Sequence, residues 1–97
     1  MKSGSSSKAR EEFEKKVAGL IDGSDKSQIE IARALGYTNA NIITMFKKGT
    51  TRIPADRVVP FALATGESPA GLLRQWLGAY MATVLPDIDA YLTRAPL

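Results

Sequence analysis

Cysteine and histidine are both absent from this chain of 97 residues. That removes disulfide frameworks, Cys/His metal sites, and thiol or imidazole catalysis together. Long apolar runs are missing as well: no segment is long enough to span a bilayer, and nothing near Met1 resembles a secretory signal. The period-two alternation of a half-buried strand occurs nowhere, and there is no internal repeat and no sign of a second domain. Glu11, Glu12 and Glu14 cluster on what reads as a solvated helix, but no nucleophile with a plausible base accompanies them. Enzymatic chemistry, a cofactor and a bound metal are therefore not expected.

What remains is a chain of one compact domain, 44% hydrophobic, with net charge +3. The position of that charge says more than its total. Up to Thr38 there are seven basic and six acidic residues, and from Phe61 onward two basic and three acidic. Between Asn39 and Pro60 the basic residues Lys47, Lys48, Arg52 and Arg57 face only Asp56. A cluster of this kind is ordinarily a solvated surface, and it also permits an anionic partner.

Punctuation residues divide the chain into helices. Residues 1–8, which include the Gly/Ser-rich "MKSGSSS", apolar-free after Met1, read as a disordered or appended segment. A first helix is predicted from Ala9 to Ile21, burying Phe13, Val17, Leu20 and Ile21 at i, i+4, i+7 and i+8. "DGSDK" breaks it. Ser27 followed by Glu30 is a capping-box pattern, and Ile29, Ala32 and Leu35 give a second helix its inward face. After Gly36 a third helix is predicted from Asn39 to Lys48, burying Ile43, Phe46 and the inner side of Ile42, with Gly49 as its C-terminal cap. Pro54 suits the first turn of a fourth helix with Val58, Val59, Phe61 and Ala62 inward, and Pro60 inside it predicts a bend or an irregular first turn. Gly66 stops that helix. Ser68 and Pro69 start a fifth, carrying Leu72, Leu73, Trp76, Leu77, Tyr80, Met81, Val84 and Leu85, and "DIDAYL" after Pro86 adds a possible sixth. The fold class is all-α: a compact bundle of short helices with a core over 9–66 and a C-terminal part over 67–97.

Helices two and three, two short helices joined by a glycine-containing turn and followed by a basic loop, form a helix-turn-helix pattern. "SQIEIARALGY", "NIITMFKKG" and "IPADRVVPFALATG" together resemble the phage repressor and Cro-type, or Xre, family of helix-turn-helix domains. The resemblance covers about Phe13 to Gly66 and implies a lambda-repressor-like fold and binding to double-stranded DNA. It rests on Gln28 opening helix two, Ala32 at the close approach, Gly36 at the turn, Ile43, Gly49, and an apolar fourth helix. The turn before Ile43 is one residue longer than in the best-known phage repressors.

The expected base-reading residues are Asn39, Ala40, Asn41, Thr44 and Met45. Small or hydrogen-bonding side chains at a helix start let the backbone approach base edges, and Asn pairs bidentately with adenine. Asn39 serves equally well as a helix cap, and Met45 either reaches the groove or fills a gap beside helix one. Phosphate contacts are expected from Ser27, Lys47, Lys48, Thr50, Thr51 and Arg52, with the amides of the Thr-Thr-Arg loop also turned toward the strand. The resemblance adds Gln28, as a phosphate contact that braces the recognition helix.

Between Leu72 and Leu85 only Arg74, Gln75 and Thr83 are clearly polar, so apolar side chains cover more than one stripe. Either this helix simply closes the monomer core, or its outer face of Leu73, Trp76, Leu77, Tyr80, Met81 and Val84 is a homodimer seam. Gly78 inside the helix suggests that another backbone comes close. These readings together describe a homodimeric DNA-binding transcriptional regulator, a repressor on an inverted-repeat operator in a bacterial or phage setting, acting in the cytoplasm or nucleoid. The competing class is an antitoxin or other interaction module whose C-terminal helix masks a partner protein.

Overall fold

The computed structural model describes residues 4–82 of the chain, with side chains from residue 8 onward. Those residues hold five α-helices and no strand: α1 (Gly4–Gly23), α2 (Gln28–Ala34), α3 (Asn41–Lys48), α4 (Val58–Thr65) and α5 (Pro69–Tyr80), with a 3-10 turn over Ala55–Arg57. Helix α1 packs against both α3 and α5, while α4 is held between α2 and α5. An all-α bundle follows from the apolar periodicity, and its core comprises Phe13, Val17, Ile31, Ile43, Phe46, Val58, Phe61, Leu72 and Trp76 among others. Each such fully buried large side chain contributes about 1.5 to 3 kcal/mol.

Local signals explain most of the boundaries. Ser27 Oγ accepts from the Glu30 amide at 3.3 Å, and the Glu30 carboxylate accepts from the Ser27 amide at 2.8 Å, so the capping box is complete. At the end of α2, Gly36 takes φ +90°. This left-handed conformation lets the Tyr37 amide reach the Ala32 carbonyl at 2.9 Å and closes the helix with a Schellman cap. Ser68 caps α5 through the Gly71 amide at 3.1 Å.

Several boundaries differ from the sequence reading. Helix α1 begins at Gly4 rather than Ala9, so part of the segment expected to be disordered is helical. Nothing from Gly4 to Ser7 is apolar, so the apolar periodicity could not extend the helix that far. Helix α3 starts at Asn41, two residues later than expected, because Asn39 caps it from outside. Pro54 precedes a 3-10 turn instead of entering α4 directly. Pro60 then falls in the first turn of α4, where amide hydrogens lack intrahelical partners anyway, so the ring sacrifices no bond. Val59 is exposed, not inward. Helix α5 ends at Tyr80, where Met81 leaves helical geometry. Val84, Leu85 and the "DIDAYL" turn lie outside the described residues.

Candidate nucleic-acid interface

Helix α3 turns Ile43 and Phe46 into the core, with Tyr37 edge-on to Phe46 at 6.2 Å. That anchoring fixes the opposite face. Asn41, Thr44, Met45 and Lys48 follow one another at i, i+3, i+4 and i+7, so they share one outward strip. Asn41 and Lys48 are exposed, Thr44 is half-buried and Met45 is 36% exposed. Of the two places open to Met45, its exposure favours the outer strip over a gap beside α1.

The first turn of α3 is organised by Asn39. Its side-chain oxygen accepts the Asn41 amide at 2.8 Å, so the capping role is real. The amide nitrogen of Asn39 still leaves donors for another partner. Ala40 is half-buried at the N-cap position and makes no side-chain cap. Thr44 Oγ1 donates to Gln28 Oε1 at 2.8 Å, which ties the start of α2 to the exposed strip of α3. Ser27, beside it, is exposed and uses its Oγ as the acceptor in the capping box. Its hydroxyl proton remains able to donate.

The loop after α3 departs from expectation. Gly49, at φ +75°, closes the helix by a Schellman cap in which the Thr50 amide binds the Met45 carbonyl at 3.0 Å. The Thr51 amide points to the same carbonyl at 3.4 Å. These two amides are therefore spent within the chain and do not face outward toward a strand. The exposed Thr50 hydroxyl and the half-buried Thr51 hydroxyl are what this stretch can present.

The cations also divide. Lys48 is exposed, while Lys47 pairs with Asp22 at 2.6 Å. A pair this exposed contributes little to stability and yields readily to a competing anion. Arg52 is exposed, but its guanidinium lies over the Tyr80 ring at 4.8 Å and near the Trp76 ring at 6.0 Å. Arg10, which the sequence reading did not single out, lies over the same Tyr80 ring at 5.4 Å.

The fifth helix is more inward than its sequence suggested. Trp76, expected on a dimer seam, is 6% exposed inside the monomer, and its indole N–H donates to the Ile53 carbonyl at 2.7 Å. Tyr80, expected on the same seam, is half-buried against Phe13 and Trp76 under the two arginines. Both are drawn in by contacts distant in sequence. Leu73 and Leu77 are half-buried and Met81 is 43% exposed, so these three form what remains of the outer row. Gly78 borders an open groove that Ala9 and Phe13 of α1 also line.

Among the described residues no cluster of His, Cys, Asp or Glu could hold a metal ion, and no helix is long and apolar enough to cross a membrane. No family model, curated protein or solved structure matches the chain.

Proposed function

We propose that this chain is a sequence-specific, double-stranded DNA-binding transcriptional regulator, acting as a repressor, with α3 as its recognition helix. The observation that carries the reading is the outward strip of α3. It combines Asn41, Thr44 and Met45 with Lys48, and Gln28 stands beside it through a direct hydrogen bond. The Asn41 amide, suited to base edges, thus lies next to the Lys48 and Gln28 donors suited to phosphate, with the Thr44 hydroxyl bracing Gln28. A short α3 anchored by Ile43 and Phe46 presents that strip on a rigid support.

The regulator works as a homodimer. Leu73, Leu77 and Met81 recur at i, i+4 and i+8 on α5, and this apolar edge is the surface through which a second copy joins. A two-fold dimer sets two recognition helices on an inverted repeat and couples two weak half-site contacts. The protein acts in the bacterial cytoplasm or nucleoid.

Titration of a random-sequence duplex across a salt series tests the reading. Binding that weakens steeply as salt rises is the expected result, because each neutralised phosphate adds about 0.9 to the log-log slope. Absence of any duplex binding at low salt would overturn it.

A further inference from the structure

Arg10 and Arg52 come from distant parts of the chain and both lie over one ring. Arg10 belongs to the N-terminal half of α1, Arg52 to the loop after α3, and both guanidinium carbons lie within 5.4 Å of the Tyr80 ring centroid. Neither forms an ion pair with a carboxylate among the described residues, although Lys16, Lys47 and Arg57 all do. Glu14 lines the same small pocket as Arg52 and Tyr80, with its carboxylate also against Gly49, where a Cβ would sit 2.9 Å from its Oε1, and it is not in ion-pair contact with either arginine. Both guanidiniums are exposed and outside ion-pair contact, so each keeps N–H donors for an anion approaching from solution.

The platform beneath them is firmly built. Phe13 meets Tyr80 edge-on at 5.8 Å and Trp76 packs against it at 5.4 Å. The Trp76 indole N–H holds the carbonyl of Ile53, the residue next to Arg52, in a buried hydrogen bond. A ring engages the face of a guanidinium and leaves N–H donors at its edge, which is the arrangement that binds phosphate oxygens as a fork.

We propose that Arg10 and Arg52 together form a paired-guanidinium clamp on the DNA sugar-phosphate backbone, beyond the end of α3, with Tyr80 and Trp76 as its positioning residues. The inference rests on the DNA-binding reading above and extends the interface from α3 to α1. The contact carries no base information, so it strengthens binding to every sequence alike.

The test follows the full-length chain on a short random-sequence duplex by fluorescence anisotropy at several salt concentrations. Arg10→Gln and Arg52→Gln should each lower the log-log salt slope by about 0.9, and the double variant by about 1.8. Tyr80→Phe keeps the ring and should bind as wild type does. Tyr80→Leu should weaken binding several-fold, yet add no further loss in the Arg10→Gln, Arg52→Gln background, as coupled residues do. Circular dichroism melts establish that each variant is folded, and should Tyr80→Leu fail to fold, the two arginine variants decide alone. Lys48→Gln, from the face of α3, separates the two readings. If it lowers the slope and Arg10→Gln does not, the clamp is overturned while α3 keeps its role. If wild type binds no duplex, both fall together.

Discussion

Thr44 Oγ1 donates a 2.8 Å hydrogen bond to Gln28 Oε1, joining the first turn of α2 to the exposed strip of α3. A glutamine whose carbonyl is committed in this way keeps its two Nε2 hydrogens as donors, the half of the amide that suits a phosphate oxygen. Thr44→Val should cost about 1 kcal/mol in urea unfolding, the net value of such a bond. It should also weaken binding to all duplexes alike, because the Gln28 amide is then free to turn. A loss confined to the preferred site would assign Thr44 to base reading.

Asn39 and Asn41 separate by role. The Asn39 oxygen caps α3, so Asn39→Ala should destabilise the fold by about 0.5 to 2 kcal/mol. Asn41 is exposed, and Asn41→Ala should leave stability within about 0.5 kcal/mol of wild type. It should instead relax base preference at one position, by about 1 to 3 kcal/mol if the lost contact is bidentate. Urea melts and duplex competition read the two effects independently, and an unchanged base preference in Asn41→Ala would remove it from the reading surface.

Burial pushes the Tyr80 hydroxyl above its ordinary value of 10.0; Glu14 acts in the same direction, and Arg10 and Arg52 partly oppose both. The folded chain thus favours the neutral phenol. Stability is untouched below the unfolded-chain value of about pH 10 and declines as pH rises through it, until the folded phenol ionises as well. Tyr80→Phe should therefore flatten the fall in urea midpoint as pH rises through about 10. An equally steep fall in the variant would place the alkaline sensitivity elsewhere.

Met81 is 43% exposed at the end of the Leu73, Leu77, Met81 row. Met81→Glu should give a folded helical monomer by sedimentation, since an unpaired carboxylate held in an apolar interface costs several kcal/mol and a solvated one costs little. Leu63, 66% exposed on α4, provides the comparison. If Leu63→Glu breaks the dimer and Met81→Glu does not, the seam lies on α4.

The features legible in the sequence are those set by neighbours a few residues away. Ser27 with Glu30, Ser68 before Pro69, and Gly36 and Gly49 after their helices each act within one turn, and all four end or begin a helix as read. Phe13, Val17 and Ile21 are buried because a 3.6-residue period places them together. The errors arose where distant residues decide. Trp76 and Tyr80 read as an outer face because nothing local reveals the Ile53 carbonyl or the Phe13 ring that turns them inward. Arg10 was missed for the same reason: it joins Arg52 only through Tyr80. The misplaced Thr50 and Thr51 amides are a different matter. Once Gly49 is taken as a Schellman cap, the bond from the Thr50 amide to the Met45 carbonyl follows from the motif itself.

Selection of bound duplexes from a random pool tests the central claim most directly, because it returns sequence, symmetry and spacing together. The account predicts enrichment of an inverted repeat whose half-site centres lie about 34 Å apart, or a multiple of that, and loss of preference at one position of each half-site for Asn41→Ala. A pool that emerges unenriched, or a single asymmetric site bound by a monomer, would contradict it.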